Sequence, residues 1–417
     1  MKTINDLNLS DYSVTELDLS YQEIDLMDGI EKFEKLEILY LRGNNIKKIS
    51  GLENLNNLEE LELENNNIEE IGGYQGVTNL QKLDLSSNKI EKIENLDSLV
   101  YLEKLDLGRN KISKIENLER LQQLKNLNLG FNFIVNIENL ECQIHLKYLN
   151  LEKNNISKIS GLCKMKYLET FTISDNRNIS SFEGIKNLTM LEELNIGACN
   201  IQKLDFLENL ISLKYLKCSA NWITKIENLE HLVNLQLLDL SRNEITKIEG
   251  LDSLGNLKYL CLGDNKISKL DNLNTLEKLK WLRLSGNRIQ EIKNIEKLFQ
   301  LEELDLSKNE IQEIAPLKNI NLLWLILNQN KISKIENLES LESLQYIELE
   351  SNKITNIENL EFVSNLFSLN LENNNISKMG NLEHLEYLEH LYLGGNPIDD
   401  SVENKQYNFK IHHEHII

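Results

Sequence analysis

The chain is 417 residues long and carries 66 acidic against 45 basic residues, a formal net charge of −21. That charge repels polyanions and argues against nucleic acid as a partner. No apolar run reaches the roughly 18 residues a membrane-spanning helix needs, so no transmembrane span is predicted. The five cysteines, Cys142, Cys163, Cys199, Cys218 and Cys261, are odd in number and unclustered, which points to a reducing compartment rather than a disulfide scaffold.

Residues 1–13 read as a short lead-in. They lack the apolar stretch of a secretory signal, so a cytoplasmic or nuclear location is expected. A nine-residue phrase then recurs with a period of about 22 residues, the mark of a stacked-repeat solenoid. It reads Leu80-Gln-Lys-Leu83-Asp-Leu85-Ser-Ser-Asn88, then Leu102-Glu-Lys-Leu105-Asp-Leu107-Gly-Arg-Asn110, and runs on to Asn396. A weaker first copy places Leu17, Leu19 and Gln22 in the equivalent positions, and Cys199 replaces one Asn. About 18 repeats therefore fill 14–400 as one domain, with no room for a catalytic domain beside them. Two repeats break the period: Asn176-Arg-Asn-Ile179 has one residue more, and the repeat holding Ala315-Pro316 one less. Local loop variation and a local change of curvature both remain open there. Residues 401–417 are expected to form a short cap or tail. Its cluster His412-His413-Glu414-His415 reads as solvated tail rather than a metal site.

Within a repeat the L-x-L core alternates with period two and predicts a short strand. Leu105 and Leu107 should point inward; Lys104 and Asp106 should face outward. The repeat Asn can satisfy backbone groups where the chain leaves the strand, and stacking would align these amides as a ladder. The second half, as in Ile245-Thr-Lys-Ile248-Glu-Gly-Leu251-Asp-Ser-Leu254, has an apolar residue at every third place, which suits a 3₁₀ or irregular turn. Each repeat is too small to bury its own apolar face, so its neighbours must supply the core.

The outward strand positions are not uniform. Acids such as Glu60, Glu62, Glu64, Asp84, Asp106, Glu193 and Asp239 far outnumber Arg42, Lys82, Lys104, Lys217 and Arg283. Just before the inward residue of seven successive strands stand Tyr215, Leu237, Tyr259, Trp281, Glu303, Trp324 and Tyr346. At a strand spacing of roughly 4.8 Å they predict an aromatic stripe about 29 Å long. Aromatic residues on a polar face anchor interfaces, and Glu303, Asp305, Glu348 and Glu350 flank the stripe. Tyr215, Tyr259, Trp281, Glu303, Asp305, Trp324, Tyr346, Glu348 and Glu350, with Tyr392 in the last repeat, are the candidate partner-binding residues. No catalytic set, metal site or cofactor loop stands out, so a non-enzymatic, monomeric binder of a protein with a basic surface is expected.

The phrase is similar to the leucine-rich-repeat signature. The 22-residue length and the recurring Lys-Ile-Glu-Asn-Leu (114–118, 225–229, 334–338) resemble the subclass typified by the nuclear regulatory subunit of protein phosphatase 1. The resemblance implies an α/β solenoid: a horseshoe with a parallel concave β-sheet and short 3₁₀ or irregular convex segments. It also implies an interaction scaffold, with a phosphatase catalytic subunit as one partner class. Of that family's contact positions, Tyr392 matches, while Asn370 stands where the family has Trp. Cytoskeletal or ciliary assembly, and secreted binding of the internalin kind, are the alternatives.

Overall fold

A computed structural model describes residues 1–318 and 320–398, and the backbone of Lys410–His412. By its internal contacts the chain divides into two compact units, 1–200 with 206–213, and 201–205 with 214–417. Unit 1 holds β1 (Glu16–Asp18), β2 (Ile38–Tyr40), β3 (Glu60–Glu62), β4 (Lys82–Asp84), β5 (Lys104–Asp106), β6 (Asn126–Asn128), β7 (Tyr148–Asn150), β8 (Thr170–Thr172) and β9 (Glu193–Asn195). Unit 2 holds β10 (Tyr215–Lys217), β11 (Leu237–Asp239), β12 (Tyr259–Cys261), β13 (Trp281–Arg283), β14 (Glu303–Asp305), β15 (Trp324–Ile326), β16 (Tyr346–Glu348), β17 (Ser368–Asn370), β18 (His390–Tyr392) and β19 (Lys410–His412). Within each unit the strands pair in parallel with their sequence neighbours, one strand per repeat. The predicted architecture of a parallel-sheet solenoid is therefore the one observed.

The strands are three residues long, and both leucines of L-x-L point inward on either side of one outward residue. Leu83 and Leu85, Leu260 and Leu262 are all at most 1% exposed, as are the turn residues Ile90, Leu96 and Leu99. The turn half is made of single i→i+3 hydrogen bonds, such as Leu99 N–H to Leu96 O (3.0 Å) and Leu102 N–H to Leu99 O (3.1 Å). Among the described residues regular 3₁₀ structure is confined to Asn5–Leu7, Ile30–Lys32 and Glu183–Ile185. The lead-in is tied down: Thr3 bridges Leu26, and Ile4 is 2% exposed.

Two side-chain ladders hold the repeats. In the first, Asn88 Nδ2 donates to the carbonyls of Leu63 (3.0 Å), Leu85 (3.1 Å) and Ser86 (3.1 Å), while its Oδ1 accepts from Ile68 N–H at 2.9 Å. One buried amide thus satisfies backbone groups of two successive repeats. Cys199 keeps part of this arrangement, its Sγ donating to Ile173 O and Gly197 O at 3.3 Å. The second ladder is the Asn at the fourth place of Lys-Ile-Glu-Asn-Leu and of its variants in other repeats. Asn95, Asn117 and Asn139 donate at 2.7 Å to Ile71, Ile93 and Ile115 carbonyls, and Asn272 does the same to Ile248. These residues adopt φ near +58°, a left-handed conformation open mainly to Gly and Asn. That is why Gly51, Gly73, Gly161 and Gly250 alternate with Asn at this place.

Both off-period repeats leave the sheet in register. Thr170 pairs with Glu193 across the longer repeat, and Glu303 with Trp324 across the shorter one. The turn side absorbs the extra and the missing residue.

Candidate partner-binding face

All ten residues singled out from the sequence lie in unit 2 on the outward face of its sheet or at its edge. Tyr215 is 36% exposed; Tyr259, Trp281, Trp324, Tyr346 and Tyr392 are half-buried. The rings form two groups rather than one stripe. Tyr259 and Trp281 pack at 4.7 Å between centroids. The second group is a run of five rings. Trp324 stacks on Tyr346 at 5.1 Å, Tyr346 meets Phe367 at 5.7 Å, Phe367 meets His390 at 5.5 Å, and His390 meets Tyr392 at 6.2 Å. Rings at these separations attract one another and hold each other in place.

Glu303 separates the two groups, and Arg283 explains its position. The Arg283 guanidinium donates to Glu303 through Nε at 2.7 Å and Nη2 at 3.2 Å, and lies 4.8 Å from the Trp281 ring centre. A fork-on-carboxylate pair of this kind is a strong charge-assisted contact. Glu303 is therefore neutralised locally rather than held open for a partner.

The other three acids behave differently. Asp305 accepts from Ser307 N–H (2.9 Å) and Oγ (2.7 Å), fixing the turn out of β14. Glu348 is half-buried; burial is the main cause of its raised pKa, while the Asn370 amide donating at 3.0 Å works against that shift. Glu350 accepts from Asn373 Nδ2 at 3.4 Å. Glu348, Glu350 and the buried Glu372 thus put carboxylates next to the five-ring run.

Phe367 was not among the residues picked out by strand alternation. It sits one place before β17, where the stripe position itself holds Ser368, and its ring fills the resulting gap between Tyr346 and His390. The signal was an aromatic directly beside a small residue in the stripe column.

In unit 1 the outward acids are largely tied up. Glu62, 1% exposed, is gripped by Arg42 and by Lys82, whose Nζ also reaches Glu60; both Lys82 contacts are 2.6 Å. Asp106 accepts from Asn128 Nδ2 at 2.9 Å, and burial pushes its pKa up. Of the cysteines, Cys199 and Cys218 are buried, none of the five is in a disulfide, and burial lifts the Cys261 thiol to about 11. A thiol held that far above neutral pH is a poor nucleophile. No group of three or more His, Cys, Asp or Glu among the described residues could hold a metal ion; the side chains of His412, His413 and His415 lie outside them.

The family model for leucine-rich repeats in two copies matches 34–98, 144–187, 189–231, 233–275 and 277–319, and a second leucine-rich-repeat model matches 342–398. The chain belongs to the leucine-rich-repeat family. No curated protein matches it significantly. Among solved structures, this leucine-rich-repeat chain is similar to an internalin of Listeria monocytogenes: 28% identity over 76% of this chain and 88% of the other, TM-score 0.65. It is also similar to a leucine-rich-repeat protein of Leptospira interrogans (23% identity, 94% and 92% coverage, TM-score 0.65). A chain of the Drosophila Toll–Spätzle complex matches with TM-score 0.73 at 23% identity, over 92% of this chain and 57% of that one. The last two likenesses speak for the fold alone.

Proposed function

We propose that the chain is a non-enzymatic scaffold that holds a protein partner on the sheet face of unit 2. The observation that carries this reading is the run Trp324–Tyr346–Phe367–His390–Tyr392, half-buried and flanked by the carboxylates of Glu348 and Glu350. Rigid aromatic rings bring large contact area at low entropic cost, and neighbouring carboxylates favour a partner with a basic surface. The resemblance of the repeat phrase to the phosphatase 1 regulatory subclass makes a phosphatase catalytic subunit one candidate, in a cytoplasmic or nuclear setting. The 28% identity to an internalin favours a second reading, a secreted binder of the internalin kind.

Affinity capture with the full chain from extract, followed by mass spectrometry, separates the two readings. The recovered partner is then titrated against Trp324→Ala and Tyr346→Ala. A true anchor loses about 2 kcal/mol on truncation, or about 30-fold in Kd. If both variants bind like the unsubstituted chain, the face assignment fails.

A further inference from the structure

The edge where the chain leaves the strands of unit 1 carries a feature that the sheet face does not explain. Across three successive turns, 108–114, 130–136 and 152–158, the basic residues are Arg109, Lys111, Lys114, Lys153 and Lys158, against a single acid, Glu152. In a chain of net charge −21 this is an island of positive charge. On the same edge of unit 2 three cations have acids from the neighbouring repeat: Arg242 with Asp264 (3.6 Å), Lys331 with Glu310 (3.3 Å), and Lys266 with Glu244. Within the island, Lys111 is 3.7 Å from Glu91 and Lys114 is 3.6 Å from Glu116.

Phe131 is at the centre. It adopts φ +58°, a conformation that costs a bulky β-carbon-bearing residue free energy and that Arg109 and Lys153 share in the neighbouring repeats. Its ring is flanked by two cations, with Arg109 Cζ 4.1 Å and Lys153 Nζ 4.7 Å from its centre. Cation–π contact leaves the N–H donors at the edges of the guanidinium available and limits the motion of the side chains that present them. Beside it Phe133 is 54% exposed and Val135 44% exposed. Apolar surface bordered by ordered cations that outnumber the acids in the same turns is chemistry for a ligand that is anionic and partly apolar.

We infer that this edge binds an acidic peptide segment of another protein, with carboxylates on Arg109 and Lys153 and an apolar residue against Phe133 and Val135. Three turns span about 10 Å, the reach of a few residues of extended chain. The strongly negative remainder of the molecule repels a long polyanion such as nucleic acid, whereas a short peptide brings few charges into that field. The surface is separate from the aromatic face of unit 2 and stands or falls without it.

The test is fluorescence anisotropy of the full chain with the labelled peptide Asp-Leu-Glu-Asp-Phe-Glu, its Asn/Gln counterpart and labelled oligothymidylate, at about 0.15 M salt. The acidic peptide should bind, and the neutral one about tenfold more weakly or worse. Arg109→Glu with Lys153→Glu should bring a loss of similar size, and Phe133→Ala a smaller one that persists in high salt. Arg242→Glu with Lys266→Glu, on the corresponding edge of unit 2, should change nothing. No binding of the acidic peptide, equal binding of the neutral one, or full binding by the double reversal would each overturn the assignment. Preference for oligothymidylate would overturn it too, making the island a nucleic-acid site.

Discussion

Replacing a ladder Asn by Ala should be among the most damaging small changes in unit 2, and Asn265 shows why. Its Nδ2 donates to Leu240 O and Leu262 O, both at 3.0 Å, and to Gly263 O at 3.2 Å; its Oδ1 accepts from Ile245 N–H at 3.0 Å. The two leucine carbonyls keep a donor when Asn265 is lost, because Asn243 also donates to Leu240 O and Asn287 to Leu262 O. Only the Ile245 N–H is left without its partner, and Ile245 is fully buried. An orphaned buried donor costs about 1–3 kcal/mol and each lost neutral bond about 1 kcal/mol. Asn265→Ala should therefore cost about 3 kcal/mol, read as a shift of the urea midpoint. Hydrogen exchange should show Ile245 N–H and its neighbours losing protection first. Asn265→Cys makes the reasoning sharper. A thiol can donate to a carbonyl as Cys199 does but is a weak acceptor, so it should recover part of the loss and leave Ile245 N–H exchanging fast. A cost for Asn265→Ala below about 1 kcal/mol, on the scale of a single neutral bond, would refute the account. So would a Cys variant no better than Ala.

Asn272→Gly should be milder than Asn272→Ala by about 1 kcal/mol in thermal unfolding, since Gly keeps the left-handed φ and forfeits only the bond to Ile248 O. Tyr74→Phe should raise stability by about 1 kcal/mol, because the Tyr74 hydroxyl is buried with no hydrogen-bond partner; a loss on denaturant titration would show that a partner exists. Glu62→Gln should destabilise unit 1 by about 2 kcal/mol, less than the full cost of breaking a buried pair because Arg42 and Lys82 are partly solvated. Glu348→Gln tests the raised carboxyl: a folded pKa above the unfolded one means the folded chain binds the proton more tightly, so Glu348 costs stability at neutral pH. That cost is relieved as pH falls through the folded value. Glu348→Gln should thus be more stable than the unsubstituted chain at neutral pH, with the gap closing towards acid; a constant gap would contradict the assignment.

The repeat, the strand positions and the first Asn ladder were legible because each depends only on sequence offset within a period. Period two sends Leu105 inward and Asp106 outward whatever the neighbours are. The second ladder was written just as plainly, in the alternation of Asn117 and Asn139 with Gly161 and Gly250 at one column. It was hidden by the Lys and Glu beside it, which drew the eye to charge. Only the interchange of Asn and Gly reports φ, and it does so across repeats rather than within one.

Charge was where outward position misled. Alternation places Glu62 and Glu303 on the exposed face, yet side chains there meet partners from the neighbouring strand rather than solvent. Arg42 lies 20 residues before Glu62, and Arg283 the same distance before Glu303. An offset near the repeat length brings two side chains to within a strand spacing of each other, so acidic columns must be read diagonally, two columns at a time. The same diagonal reading links Phe367 to Tyr346 and His390 when the stripe column itself holds Ser368. It also singles out the turns at 108–158, where the cations have few acids beside them. For a stacked repeat, the informative unit for function is a patch of adjacent columns over two or three repeats. A single column, taken down the whole chain, mainly reports how the solenoid is built.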